Sequence, residues 1–124
     1  MKQRLTLGLI EEVTLEDGNK YLAKIDTGAD SSSIDETIAL RLGSKEVVSY
    51  KVIKSALGRV RRPTIEIGLE LQKLKFKEKI TIADRSHLKY KVLIGQDILK
   101  KEGFLIDPLK KRVTKNDNWN WNKR

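Results

Sequence analysis

An all-β domain, closed or partly closed into a barrel, with one short helix near the C-terminal third, is the fold class this sequence predicts. Three observations lead there. Apolar residues recur with a period of two along most of the chain, as side chains do on a half-buried strand. Turn residues interrupt these runs at short intervals. Only Gln96 to Glu102, stopped by Gly103, reads clearly as a helix. Many short strands with one clear helix suit a sheet closed on itself better than an alternating α/β layer. The 124 residues are enough for one domain, and no internal repeat or linker divides them.

The elements follow in order. Leu5, Leu7 and Leu9 alternate with Thr6 and Gly8, and Val13 and Leu15 continue the strand pattern. Glu16-Asp17-Gly18-Asn19 is a hairpin turn, because Gly tolerates positive φ. The return strand, residues 20–25, ends at Asp26. Asp35 is placed to cap a short helix over 36–42, with Gly43 as its stop. Residues 47–55 read as a strand and Ala56-Leu57-Gly58-Arg59 as a turn. Pro63 marks a strand edge, since it lacks an N–H for the ladder. Ile65, Ile67, Leu69 and Leu71 alternate with polar residues. After a turn at Gln72-Lys73, Leu74, Phe76, Ile80 and Ile82 keep the same period. Residues 86–89 form a loop, and 90–94 are apolar enough for a buried strand. Residues 104–106 make a last core strand, closed by Asp107-Pro108.

Composition narrows the function. There is no cysteine, so disulfides, thiol nucleophiles and Cys-ligated zinc are excluded. No N-terminal apolar run of signal-peptide length and no apolar stretch near ~20 residues is present, so a cytoplasmic protein without a membrane span is expected. The formal net charge is +9. Residues 51–62 hold five basic side chains and no acidic one, and residues 110–124 hold six against Asp117. Such a surface attracts polyanions, either an acidic peptide or nucleic acid. Nucleic acid is the weaker candidate, because no aromatic residue lies within 51–62 to stack on bases.

The segment that carries chemistry is Asp26-Thr27-Gly28-Ala29-Asp30. It follows the apolar run Tyr21-Leu22-Ala23-Lys24-Ile25 and precedes Ser31-Ser32-Ser33. An aspartate at a strand end, with Thr and Gly in a tight turn after it, is how aspartic proteases present a catalytic carboxylate. That chemistry needs two carboxylates sharing one proton. The chain has one Asp-Thr-Gly, so the second aspartate would come from a second copy on a two-fold axis. Gly28 is suited to close backbone approach. His87 is the only histidine, and carboxylates alone suit zinc poorly, so neither metal nor cofactor is expected. Gly-x-Ser-x-Gly and a phosphate-cradling glycine loop are both missing.

A second segment, Val92-Leu93-Ile94-Gly95-Gln96-Asp97, follows later in the chain. Together the two segments resemble the retropepsin-like aspartic proteases, in which an apolar run, a Gly and a short helix pack beneath the catalytic turn. Gly58-Arg59-Val60-Arg61-Arg62-Pro63, Thr81-Ile82-Ala83-Asp84-Arg85 and Phe104-Leu105-Ile106-Asp107-Pro108 extend the resemblance. They point to a bacterial and archaeal branch known as ATP-dependent zinc proteases, whose members are often linked to glutamate-adding ligases of the ATP-grasp type. The resemblance implies a homodimeric aspartic endopeptidase acting on a peptide or protein substrate, with an ATP-grasp ligase as a partner. It implies Asp26 as catalytic carboxylate and Thr27 as a brace between the two turns. Ala29 and Asp30 would line the start of the substrate cleft. Gly58, Arg59, Arg61 and Arg62 would sit in the flap over it, the arginines holding substrate carboxylates. Residues 1–115 would be the protease domain. Residues 116–124, with Trp119 and Trp121, are either a frayed tail or a dimer-interface strand. The alternatives are a non-catalytic domain of the same fold that binds a peptide or partner, and a basic nucleic-acid-binding β-domain.

Overall fold

The computed structural model describes residues 3–111. The segment 116–124, assigned to a tail or interface strand, lies outside them. The strands are β1 (Thr6–Leu7), β2 (Ile10–Leu15), β3 (Lys20–Ile25), β4 (Ser33–Asp35), β5 (Val47–Ser55), β6 (Gly58–Leu71), β7 (Leu74–Ala83), β8 (Val92–Ile94) and β9 (Leu105–Ile106). Two helices interrupt them, α1 (Glu36–Arg41) and α2 (Gln96–Glu102). No helix among the described residues is long and apolar enough to cross a membrane.

Seven strands form one sheet in the order β2-β3-β8-β4-β7-β6-β5, and β2 also pairs with β6. That extra pairing closes six strands into a ring and leaves β5 hanging from β6 as an arm. The ring is irregular, because β3–β8 and β4–β7 are parallel while the other pairs are antiparallel. β1 and β9 make a separate parallel pair.

Strand parity sorts the faces. Ala23 and Ile25, Val92 and Ile94, Ile34, Ile80, and Ile65, Ile67, Leu69 and Leu71 all turn inward and are buried. Ile38 of α1 and Ile98 and Leu99 of α2 join the same core. Each of the buried Val, Leu and Ile side chains contributes about 1.5–3 kcal/mol by leaving water. The opposite face carries Lys24, Leu93, Ser33, Thr81 and Thr64, which are neighbours through the β3–β8–β4–β7–β6 register.

Local chemistry explains the turns. Gly18 takes φ +85°, and its N–H bonds the Leu15 carbonyl at 2.8 Å. Gln72 and Lys73 both have positive φ, 55° and 66°, giving the primed two-residue turn that matches strand twist without the usual Asn or Gly. Pro63 lies inside β6 rather than at its margin. β6 pairs with β7 only from Thr64 onward, so Pro63 marks where the strand leaves the ring as an arm beside β5. Tyr90 and Lys91, expected in a strand, lie before β8. The Lys91 ammonium donates to the carbonyls of Arg85, Ser86 and Leu88 at 2.6–2.9 Å, closing a compact loop instead.

Asp35 caps α1 and ties it to that loop. One oxygen accepts from the Thr37 N–H at 3.1 Å and hydroxyl at 2.5 Å, and the other from the Arg85 N–H at 2.6 Å. The Thr37 hydroxyl, then the Arg85 and Thr37 N–H groups, hold its carboxyl below the ordinary range against the opposing effect of burial. A lowered folded pKa means that the group stabilises the fold above its unfolded value, and that this stability is lost as pH falls through the folded value. Asp35→Asn should therefore cost about 1–2 kcal/mol near neutral pH. The gap from the parent protein, read by urea unfolding, should shrink as pH falls below about 4.

Candidate active site

The chain runs from β3 through a turn to β4, and β8 is inserted between those two strands. The turn must therefore cross over the C-terminal end of β8. Backbone bonds pin it there. Asp26 N–H donates to the Ile94 carbonyl at 2.9 Å, Gln96 N–H to Ala29 at 2.8 Å, and Asp97 N–H to Asp30 at 3.3 Å. The Gln96 side-chain amide adds a bond to the Thr27 carbonyl at 2.7 Å.

Gly95 makes this crossing possible. A Cβ there would stand 2.7 Å from the Ala29 carbonyl oxygen and 3.0 Å from the Ser31 carbonyl. Those are backbone atoms and cannot swing aside. Beneath the turn, the Asp97 carboxylate accepts from the Ser32 N–H at 2.9 Å and the Ser32 hydroxyl at 2.6 Å. The same hydroxyl accepts from the Gly95 N–H at 2.8 Å. Ser32 is fully buried, so this network is shielded from water.

Asp26 is half-buried just past β3, continuing the parity of Lys24 and hence on the outer, polar face. Its Oδ1 accepts from the Gly28 N–H at 2.9 Å. A Cβ on Gly28 would be 3.3 Å from that oxygen. No hydrogen bond to Oδ2 forms among the described residues. Thr27, Gly28 and Asp30 are exposed in the single chain, and Ala29 is half-buried. The turn and the 94–97 corner thus come together as one unit.

The β5–β6 arm carries the other expected residues, and it divides them. Cross-strand partners share a face. Arg61 pairs with Val52 and Arg59 with Lys54, on the face of Tyr50, over whose ring Arg61 stacks at 4.4 Å. Arg62 pairs with Lys51 on the opposite face, the face of Thr64. The three arginines do not act from one surface. Gly58 closes the hairpin with φ +123°.

Sequence reasoning missed Ser32, Asp97 and Arg85 as parts of the site. Arg85 is 9% exposed. Its Nε donates to the Tyr90 carbonyl at 3.0 Å and its Nη1 reaches the Ser33 hydroxyl at 3.5 Å. Burial pushes this guanidinium below its usual range, Asp35 and Asp26 pull it back, and Arg62 repels it. His87 is exposed on its loop. Among the described residues, no group of three or more His, Asp or Glu side chains is placed to hold a metal ion.

A family model described as RimB-like, retropepsin-like aspartic endopeptidase RimB, matches residues 39–117. The match begins after the Asp26 turn and includes the arm, Arg85 and the 94–97 corner. Three solved structures share the fold. One is a Legionella pneumophila protein of unknown function, Lpg0085, at 21% identity and TM-score 0.64, covering 91% of this chain and all of its own. The EIAV protease bound to the inhibitor HBY-793 has 21% identity and TM-score 0.62, with 84% and 96% covered. The simian foamy virus protease has 16% identity and TM-score 0.58, with 73% and 91% covered. No curated protein matches the chain by sequence.

The crossing generates a sharp expectation. Gly95→Ala should destabilise the protein by about 1–3 kcal/mol or more, as forced overpacking does. Gly68→Ala, whose added Cβ would meet only an ordinary contact at 3.6 Å, should change stability by less than about 0.5 kcal/mol. Parallel thermal and urea unfolding of the two variants checks this.

Proposed function

The chain belongs to the RimB-like family of retropepsin-like aspartic endopeptidases, and we propose that it hydrolyses peptide bonds as a homodimer with one Asp26 from each copy. The observation that carries this reading is the Asp26 carboxylate itself. One oxygen is fixed by the Gly28 N–H at 2.9 Å, and the group stands on the outer sheet face at a rigid turn. Two such carboxylates at a two-fold axis cannot both ionise cheaply. One keeps a proton and the other takes a proton from water as the oxygen attacks the peptide carbonyl. The protonated partner supplies its proton to the developing tetrahedral oxyanion. The carboxyl that took the water proton then gives it to the leaving nitrogen as the C–N bond breaks, and a hydroxyl of the tetrahedral intermediate returns its proton to the other carboxylate, restoring the shared proton.

Thr27 braces the paired turns, and Ala29 and Asp30 line the cleft beside them. The β5–β6 arm is the flap, with Gly58 at its tip and Arg59, Arg61 and Arg62 as its charges. The net charge of +9 favours an acidic peptide or protein substrate. The resemblance to proteases linked with ATP-grasp glutamate ligases favours the same substrate, with such a ligase as a proposed partner. The protein acts in the cytoplasm, with residues 1–115 as the protease domain.

Asp26→Asn is nearly isosteric, so it should leave fold and assembly intact while peptide cleavage falls by about a thousandfold or more. Sedimentation and a cleavage assay on the same samples check both halves. Retained cleavage by the variant would remove Asp26 from catalysis. A monomer at every concentration would remove the shared-proton mechanism.

Arg59 and Arg61 are exposed and Arg62 is half-buried, and charges at a solvated surface act mainly on encounter rates over a Debye length of ~8 Å at physiological salt. Replacing Arg59, Arg61 and Arg62 together with Gln should raise KM for acidic peptides and flatten its salt dependence. An unchanged salt dependence would make the flap charges a solvated surface.

A further inference from the structure

Arg85 poses a problem that the catalytic turn does not answer. An arginine with so little exposed surface is ordinarily paired with an anion. Among the described residues, Arg85 makes no ion pair within 4 Å. Asp35 and Asp26 are the carboxylates near enough to act on the guanidinium, but neither bonds it, and the Asp35 oxygens are engaged by the Arg85 backbone N–H and by Thr37. The side chain is held by Tyr90 O through Nε, and only loosely by Ser33 through Nη1. The rest of its donor fork is left for another acceptor.

Arg85 lines a pocket of about 340 Å3 with Lys24, Leu88, Lys89, Tyr90 and Leu93. Three lining residues are cationic, none is acidic, and the others offer apolar walls. Lys24 stands two residues before Asp26 on the same strand parity and is the register partner of Leu93. The pocket therefore opens on the face that bears Asp26, beside the end of β3. Its wall is prefolded, because Lys91 ties the carbonyls of residues 85, 86 and 88 together.

We propose that this pocket is the subsite that receives a carboxylate-bearing side chain of the bound peptide, with Arg85 as the residue that selects it. The assignment rests on the peptide-hydrolase reading and adds where acidity is read. Leu88, Tyr90 and Leu93 pack on the aliphatic stem, and the guanidinium takes the carboxylate in a charge-assisted bond. Lys24 and Lys89 add charge at the rim. The flap arginines accelerate encounter, whereas the buried Arg85 discriminates between bound peptides and does so with little dependence on salt.

The test uses peptide pairs that differ only by Glu or Gln at one position, scanned across the cleaved bond. In one arm, each peptide is titrated into full-length Asp26→Asn protein while the Arg85 Nε–H resonance is followed by NMR. A Glu peptide should shift it and bind about tenfold tighter than its Gln partner. In the second arm, the Glu-over-Gln ratio of kcat/KM at the selective position should fall about tenfold in Arg85→Lys and in the Lys24→Gln/Lys89→Gln double variant, which touches only the rim. Cleavage without Glu preference at any position, with a silent Arg85 resonance, overturns the subsite and leaves peptide hydrolysis standing. A shifted resonance with no cleavage of any peptide supports the subsite and removes the hydrolase reading. Inorganic phosphate or a mixed-sequence oligonucleotide shifting Arg85 as strongly as the Glu peptide, with no Glu preference, also overturns it.

Discussion

The structure depends on one close approach, that of the residue 26–32 turn to the Gly95 corner. Because β8 is inserted between β3 and β4, the connection between those strands has to pass over its end. Only a residue without a Cβ leaves room at 2.7 Å from the Ala29 carbonyl. Once there, the backbones of the two segments satisfy each other, and Asp97 fills the space below with bonds to Ser32. A carboxylate at the head of α2 also lies where the helix dipole favours negative charge. The Asp26 side chain gains its fixed direction from this arrangement, because both its own N–H and its Gly28 donor are held.

The outer face of the ring is unusual for a sheet this small. Lys24, Asp26, Ser33, Thr64, Thr81 and Arg85 make it polar, although Ser33, Thr64, Thr81 and Arg85 are buried. Buried polar groups cost free energy unless they are bonded. Arg85 meets that demand through the Tyr90 carbonyl and the Ser33 hydroxyl, and Asp35 and Lys91 bond backbone groups of the same 85–90 loop, while the Thr64 hydroxyl has no protein partner among the described residues. The loop then behaves as a rigid wall beside the turn. The β5–β6 arm is its counterpart: two strands paired to the ring through β6 alone, with exposed Tyr50, Val52 and Val60 along it. Few buried contacts hold it, which is the physical condition for local motion.

Much of the fold was legible because the signals were local. The alternation from Ile65 to Ile82, the turn at Gly18, the Asp35 cap and the Gly103 stop each rest on residues within a few positions of one another. Asp26 was legible for the same reason, as a strand end followed by Thr and Gly. What escaped was long-range. Ser32 and Asp97 are 65 residues apart, and Asp35 and Arg85 are 50 apart. Neither pairing leaves a mark in periodicity. Arg85 reads as one more cation in a chain rich in them, and nothing local announces that it is buried. The division of Arg59 and Arg61 from Arg62 depends on cross-strand register, which a pattern of single residues does not show. Tyr90 and Lys91 were drawn into a strand by their apolar neighbours, while the Lys91 ammonium bonds three carbonyls of a loop.

The central claim is that two copies of this chain bring their Asp26 carboxylates together at a symmetry axis. A crystal structure of the assembled full-length protein measures that most directly. The account predicts a two-fold dimer with the nearest oxygens of the two Asp26 side chains about 3 Å apart, close enough to share a proton. A dimer that buries a different surface and leaves the two carboxylates far apart would contradict it.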